Sequence, residues 1–146
     1  MIYIFDIDGT LADNAHRLHF ITGETKDWEG FHNAMGDDTP IWEVITVVRA
    51  LNAVGHVIIM STGRMEKGRV VTAEWLRKYR VPMHGLYMRQ NSDHREDYVV
   101  KSELLDQIIG NNPDQVVGGA FEDRQQMADM YRARGIRVFQ VAKGDY

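Results

Sequence analysis

The chain of 146 residues contains no cysteine, which excludes disulfide bonds, thiolate metal ligands and cysteine nucleophiles. This absence fits a reducing compartment. Long apolar runs are also missing: the first one ends at Phe5, far short of the roughly 20 residues that a membrane helix needs. The N-terminus has neither the basic region nor the cleavage site typical of a signal peptide. These absences predict a soluble, cytoplasmic protein without a membrane segment.

The sequence also lacks an excess of positive charge, because its net charge at pH 7 is −4. Such a balance disfavours a protein that coats nucleic acid by electrostatics alone, although it leaves room for a local basic site. Internal repeats and low-complexity tracts are absent as well. A length of 146 residues is typical of one domain with its own core, and we expect residues 1–146 to form a single domain.

Short apolar runs predict five strands, and most of these runs are continuous, as in a parallel sheet covered on both faces. The runs are Ile2–Phe5, 56–60, 86–88, 115–117 and 136–141. Apolar side chains at three- and four-residue spacing predict helices between them. These helices are 41–54, 67–79, 98–109 and 124–134. The alternation predicts a doubly wound, mostly parallel α/β sheet of the Rossmann-like class with right-handed crossovers.

The interval 22–40 is polar, contains glycine and is too long for a simple connection. We expect a small lid at about residues 20–40, over the carboxyl ends of the strands. A surface loop without a role is the alternative. Trp28 and Phe31 lie in this interval; they could stack on a base or sugar, or they could anchor the lid to the body.

Asp6 and Asp8 follow the first predicted strand, in the stretch IYIFDIDGTLAD. Two like charges so close together each raise the cost of ionising the other. A cation beside them, or a proton on one of them, removes that cost, and either solution points toward chemistry. Solvated turn acids and a fragment of a calcium loop are the structural alternatives.

Further reactive side chains follow the other predicted strands. The run STGR, residues 61–64, follows the second strand; Lys101 lies near the start of the third long helix; and EDR, residues 122–124, follows the strand near Val117. We expect them to converge, because ligands of such sheets bind at the carboxyl ends of the strands. Together they can hold Mg²⁺, attack phosphorus with a carboxylate, bind phosphoryl oxygens and move a proton.

The order of these segments resembles a known superfamily. Four elements look like the four motifs of the haloacid dehalogenase-like phosphatases. They are DIDGT, a hydrophobic strand that runs into TGR, Lys101 and then ED. Five longer segments make the resemblance more specific. They are FDIDGTLAD followed by Arg17, STGR with TAEWL, DYVVKSELL, FEDR and QVAKGDY. Over nearly the whole chain they resemble the 3′-phosphatase domain of bacteriophage polynucleotide kinase–phosphatase. The resemblance implies a haloacid dehalogenase-like fold with a small lid.

The resemblance also implies a role for each matching residue. Asp6 would be the nucleophile and a metal ligand, and Asp8 would be the general acid–base, with its backbone carbonyl also on Mg²⁺. Asp123 would be the acidic metal ligand, and Lys101 would neutralise the nucleophile and the phosphate. Thr62 would bind the phosphoryl group.

Other positions are implicated in activity by the same resemblance, namely Arg17, Arg64, Arg89 and Asp97. Glu122 stands where the family usually has an aspartate. Since a glutamate reaches one methylene further, contact with the metal through a water molecule or directly both remain open.

The function that the resemblance implies is a Mg²⁺-dependent phosphatase, with an aspartyl-phosphate intermediate, that removes terminal 3′-phosphates from DNA or RNA. A phosphatase of free nucleotides or other small phosphomonoesters would use the same motifs. A non-hydrolytic phospho-acceptor module is a third reading, but it has no need of a second acid such as Asp8. The kinase loop GxxxxGK[ST] does not occur in this chain, so we expect no kinase activity from it. A separate kinase or ligase is a candidate partner, beside 3′-phosphate ends of nucleic acid or nucleotides.

Overall fold

The computed structural model describes residues 1–144, so the last two residues of QVAKGDY lie outside the described part. The strands are β1 (Ile2–Phe5), β2 (Ala12–Asp13), β3 (Thr39–Pro40), β4 (Val57–Met65), β5 (Gly85–Arg89), β6 (Val117–Arg124) and β7 (Val138–Gly144). The α-helices are α1 (Trp28–Asn33), α2 (Trp42–Ala53), α3 (Arg69–Lys78), α4 (Asp97–Asn111) and α5 (Gln125–Ala133). Three short 3₁₀ segments occupy Ala15–Phe20, Met35–Asp37 and Glu66–Gly68.

Five of the strands form one sheet in the order β5-β4-β1-β6-β7. Each neighbouring pair in this sheet is parallel, which confirms the predicted doubly wound α/β class. The first strand lies in the centre, and the chain builds outward from it in both directions. The crevice between the carboxyl ends of β4 and β6 is therefore the place where such a sheet binds its ligands.

The continuous apolar run of β1 is explained by helices on both faces of the sheet. Phe5 packs on one face with Ile45 of α2 and Trp75 of α3. Ile4 packs on the opposite face with Leu105 of α4. Because neighbouring residues of a strand point to opposite faces, both kinds of position must be apolar here.

The fourth strand of the sheet was predicted wrongly from the sequence. The prediction was 115–117, whereas β6 spans Val117–Arg124 and shares only Val117 with it. Glycine is poor in strands, so Gly118 and Gly119 end the apparent pattern. The structure shows why they are there: a Cβ would come within 2.9 Å of the Tyr3 ring at Gly118 and within 2.7 Å of the Phe139 ring at Gly119.

The strand predicted at 56–60 is longer than expected. It continues to Met65, so the polar run STGR belongs to β4 instead of following it. The same holds for Glu122, Asp123 and Arg124, which are the last residues of β6. Polar residues can extend these strands because the ends of a parallel sheet line its binding crevice.

A polar segment between β1 and α2, which we call the excursion, lies outside the five-stranded sheet. It contains the antiparallel pair β2–β3 and the helix α1. The excursion begins at Ala12, earlier than the lid expected at about 20–40. In its middle, the Asp27 side chain accepts a hydrogen bond of 2.8 Å from the Gly30 N–H and caps α1. No helix within residues 1–144 combines the length and the apolar character needed to cross a bilayer.

Candidate active site

Lys101 joins the two central strands from the first turns of α4. Its Nζ donates to Asp6 Oδ1 at 2.7 Å and to Glu122 Oε2 at 2.8 Å. In α4, Lys101 occupies the same stripe as Leu104, Leu105 and Ile108, which are all buried. The helical spacing therefore directs the ammonium into the core side of the sheet, and a side chain leans toward the start of its helix. The partners it meets there are the carboxylates at the ends of β1 and β6.

Three carboxylates lie together at this point. Oxygens of Asp6, Glu122 and Asp123 all lie within 4.8 Å of one another, and the three residues are buried. Lys101 offsets one of the three charges. The remaining negative charge and an all-oxygen donor set fit a hard divalent cation such as Mg²⁺. Glu122, whose direct contact was left open by the sequence, belongs to this acidic cluster.

The electrostatics of the acidic cluster favour a cation. Burial raises the pKa of Asp6 well above its ordinary value, and the charge of Glu122 raises it further against the attraction of Lys101. Burial also raises the pKa of Glu122, although Lys101 opposes this shift. Burial lowers the pKa of Lys101, but the charges of Asp6 and Glu122 outweigh burial and leave that pKa well above its ordinary value. A bound cation lowers the pKa of such carboxylates and keeps them ionised.

The turn after β1 approaches Asp123 closely. Gly9 has a φ of +81°, and a Cβ at this position would lie 2.7 Å from Asp123 Cγ. Thr10 Oγ1 donates a long hydrogen bond of 3.4 Å to Asp123 Oδ1. Only glycine combines this backbone conformation with this lack of side-chain volume. The G and T of DIDGT thus orient a carboxylate of the acidic cluster.

The Asp8 carboxylate lies apart from the acidic cluster and faces two arginines. Arg17 Nη2 donates to Asp8 Oδ1 at 2.7 Å. Arg64 donates from Nη2 to Oδ1 at 2.8 Å and from Nε to Oδ2 at 3.1 Å. Burial raises the pKa of Asp8, but the positive charges of Arg64 and Arg17 outweigh burial and lower that pKa below its usual value. Metal contact through the Asp8 backbone carbonyl stays a prediction.

Asp38 holds the same two arginines from the other side, and sequence reasoning missed it. Its carboxylate is fully buried and accepts from Arg17 Nε at 2.7 Å and from Arg64 Nη2 at 2.9 Å. His16 Nε2 lies 2.7 Å from Asp38 Oδ1, and the Asp38 carbonyl accepts from Trp75 Nε1 at 2.8 Å. Asp38 belongs to no periodic pattern or motif, so no sequence signal marked it.

Three of the predicted residues remain to be placed, namely Arg89, Asp97 and Thr62. Arg89 donates to the Gly63 carbonyl at 3.0 Å and forms a salt bridge with Asp97. Arg124, the last residue of the EDR run and one without a predicted role, also forms a salt bridge with Asp97. Thr62 is fully buried, and its Oγ1 accepts from the Arg64 N–H at 3.1 Å. This contact is the turn role of a hydroxyl; binding of a phosphoryl group by Thr62 stays a prediction.

A cleft of about 1060 Å³ opens above these residues. We call the part of its lining formed by Asp6, Asp8 and Lys101 the floor of the cleft, and the part formed by Arg17, Arg64, Arg89, Asp97 and Arg124 its walls. Helix α1 contributes Trp28, Phe31 and His32 near the 3₁₀ segment that contains Lys67. The cleft therefore combines an acidic floor with arginine-rich walls, an arrangement suited to a metal ion beside an anionic group.

All 146 residues, 1–146, match the family described as the phosphatase domain of polynucleotide kinase PNKP. The chain belongs to this family. The haloacid dehalogenase-like resemblance of the sequence is thereby confirmed, and this PNKP-type phosphatase domain has the motifs of that family on the sheet edge where they were expected.

Two relatives carry the same domain within longer chains. A protein of Autographa californica nuclear polyhedrosis virus, named as a putative bifunctional polynucleotide kinase/RNA ligase, is 28% identical over 144 residues. The match covers 97% of this PNKP-type domain and 19% of the viral protein. A chain in the Pnkp1/Rnl/Hen1 RNA repair complex is 29% identical with a TM-score of 0.81, covering 99% of this chain and 43% of that one. The PNKP-type domain thus spans less than half of either relative.

A more distant neighbour shares the fold alone. A haloacid dehalogenase-like hydrolase from Streptococcus pneumoniae is 13% identical with a TM-score of 0.69, over 98% of this chain and 85% of that one. The five-stranded sheet and its flanking helices are therefore a common scaffold, whereas the site residues must be argued from their own geometry.

Replacing Asp38 with alanine should destabilise the domain by about 3–5 kcal/mol, because two buried guanidinium groups would lose a shared partner. Asp37→Ala is the matched control, since Asp37 is the exposed neighbour and its replacement should change stability by no more than about 0.5 kcal/mol. Urea denaturation of both variants measures the difference. Equal stability of the two variants would show that the arginines do not need Asp38.

Replacing Gly9 with alanine should lower the affinity for Mg²⁺ by about 10- to 100-fold, the range typical of disturbed supporting contacts around a metal. The added methyl group would displace the Asp123 carboxylate. Gly55→Ala is a suitable control, because Gly55 also has a positive φ of +94°, but a methyl group added there would meet no atom within 4 Å. Calorimetric titration with Mg²⁺ measures both; a similar loss in the control would rule out the steric explanation.

Proposed function

We propose that this domain is a Mg²⁺-dependent polynucleotide 3′-phosphatase that works through an aspartyl-phosphate on Asp6. The family assignment supports a phosphatase. The observation that carries the mechanism is the position of Asp6, which lies at the cleft floor, on Lys101 and beside Glu122 and Asp123. A carboxylate in these surroundings could accept a phosphoryl group once a cation on the three carboxylates, together with Lys101, offsets its repulsion from the substrate.

In the first step, an Asp6 carboxylate oxygen forms a bond to phosphorus while the bond from phosphorus to the 3′-oxygen breaks. Asp6, Glu122 and Asp123 would hold Mg²⁺, which would supply positive charge to offset the repulsion between carboxylate and phosphate. Lys101 keeps the Asp6 side chain in place through its 2.7 Å contact. Arg17 and Arg64 bind the phosphoryl oxygens from the wall of the cleft, where negative charge spreads in the transition state.

Asp8 is the proton carrier of this scheme. The leaving 3′-oxygen takes a proton from the Asp8 carboxyl group, and a water molecule then attacks the phosphorus of the aspartyl-phosphate while Asp8 takes a proton from that water. Inorganic phosphate and free Asp6 are the products. Hydrogen bonds from Arg17 and Arg64 favour the carboxylate form of Asp8. A phosphate dianion that draws the two arginines to itself weakens this hold and favours a proton on Asp8.

Polynucleotide 3′ ends are the proposed substrate class, with free nucleotides as the competing one. The names of the relatives support this choice, because they refer to polynucleotide kinase, RNA ligase and RNA repair. The wide cleft supports it too, since a strand end needs open access to the cleft floor. A separate kinase or ligase is the proposed partner type, and a cytoplasmic location stays a prediction.

Purified protein with Mg²⁺ should release phosphate faster from a 3′-phosphorylated oligonucleotide than from the matching 5′-phosphorylated oligonucleotide, a nucleoside 3′-phosphate or a sugar phosphate. Chelation with EDTA should abolish release, and added Mg²⁺ should restore it. A phosphate-release assay at matched concentrations gives the ranking. Faster release from mononucleotides would instead assign the domain to small phosphomonoesters.

Asp6→Asn should lower kcat by at least about 10⁴-fold, because an amide cannot form the acyl phosphate. Asp8→Asn should lower kcat by about 10²- to 10⁴-fold, the usual contribution of general acid–base catalysis. After a brief exposure to ³²P-labelled substrate, acid quenching should trap labelled protein with Asp8→Asn but not with Asp6→Asn. Labelled protein from the Asp6 variant would place the nucleophile elsewhere.

A further inference from the structure

The entrance of the cleft carries side chains that the proposed chemistry does not use. We propose that Trp28, His32 and Lys67 form a nucleobase-binding wall, on which a base near the 3′ end stacks while the strand backbone meets Lys67. We call these three residues the entrance wall. This inference rests on the proposed function, since it names the part of the polynucleotide that the same cleft would bind.

The two aromatic residues of α1 have different surroundings, and this difference separates an anchor from a binding surface. The Arg17 guanidinium carbon lies 4.3 Å from the centroid of the Phe31 ring, and Arg17 Nη1 donates to the Phe31 carbonyl at 3.4 Å. Phe31 therefore anchors α1 to the buried arginines. Trp28 is 50% exposed and borders the cleft. The Lys26 ammonium lies 5.8 Å from the centroid of its ring, and the exposed half of the side chain is accessible to a ligand.

Trp28 is held in a defined orientation by its neighbours on α1. Phe31 packs edge-on against it, with centroids 5.8 Å apart and an interplanar angle of 90°. His32 presents a second flat ring, inclined by only 28° to the indole at a centroid distance of 6.2 Å. A ring fixed in this way loses little conformational freedom on binding, which favours stacking with a base.

The imidazole of His32 suits this stacking surface. Burial lowers the pKa of His32, and the positive charges of Lys67 and Arg17 lower it further. The ring is consequently neutral at pH 7 and adds a flat surface without a charge. Lys67 and His32 both line the cleft.

Lys67 supplies the positive charge of the entrance wall. Its N–H donates to Asn91 Oδ1 at 2.7 Å, which fixes the backbone of the turn, while its side chain is exposed. Arg95, another cation of the cleft lining, is instead bound by Asp93 at 2.8 Å and Glu103 at 2.7 Å. The Lys67 ammonium takes part in none of the salt bridges among residues 1–144, so it can pair with a phosphodiester of the strand.

These features fit a nucleic acid strand better than an apolar peptide. A base offers a flat π surface, and the adjoining backbone offers a negative charge; the entrance wall offers flat rings beside an exposed cation. The wall is also continuous with the phosphate site, because Arg17 contacts both Phe31 and Asp8. A strand with its 3′-phosphate over Asp6 would therefore pass the entrance wall.

The test compares Trp28→Ala with Trp42→Ala, because Trp42 is 49% exposed but lies on α2, outside the cleft. The substrates are a 3′-phosphorylated oligonucleotide and a base-free strand, which has the same length and 3′-phosphate but is abasic at its last two positions. Trp28→Ala should raise KM about tenfold on the intact strand, as expected for the loss of roughly 1.4 kcal/mol of stacking. It should leave kcat within about twofold and leave KM on the base-free strand unchanged.

The remaining variants separate stacking from other causes. Trp28→Phe should restore most of the affinity, Trp42→Ala should behave as the wild type, and Lys67→Ala should raise KM on both strands alike. An unchanged KM for Trp28→Ala, or an equal rise on both strands, would overturn the entrance wall while leaving the proposed function intact. If the wild type itself released no phosphate from either strand, the proposed function would fail, and the entrance wall with it.

Discussion

The candidate site depends on one buried ammonium group. Lys101 lies 2.7 Å from Asp6 and 2.8 Å from Glu122, so it ties α4 to the two strands at the centre of the sheet. Burying an unpaired charge is costly, and pairing removes most of this cost. The ion pairs therefore hold the Asp6 and Glu122 side chains in fixed positions. They leave negative charge uncompensated next to Asp123, which is the condition for binding a cation.

A second set of charges has the opposite character. Arg17 and Arg64 lie between Asp8 and Asp38, so two guanidinium groups meet two carboxylates and the set is neutral. The acidic cluster carries an excess of negative charge, whereas the arginine set balances its own charges. Asp38 connects the arginine set to the excursion. Its carboxylate fixes the two arginines, and its backbone carbonyl accepts a hydrogen bond from Trp75 of α3.

The sequence revealed those parts of the site that periodicity and motif order encode. The apolar run of β1 predicted a strand of a parallel sheet with Asp6 at its end, and Lys101 was expected to converge with the acidic residues at the carboxyl ends of the strands. The extent of β6 was not predictable, because Gly118 and Gly119 interrupt the apolar pattern. Glycine is needed at these positions since aromatic rings from neighbouring strands leave no room for a side chain. Asp38 was missed for a related reason. Its importance comes from partners at positions 17 and 64, and only the folded chain brings them together.

The order of the strands in the sheet has a consequence for the newly made protein. β1 emerges from the ribosome before the other strands of the sheet, but one of its two neighbours is β6, which begins at Val117. Until that neighbour is synthesised, one edge of the central strand stays open to pairing with other chains. Asp6 also waits for Glu122 and Asp123 during this interval. The acidic cluster can therefore form only late in synthesis, when most residues of the domain have already been joined.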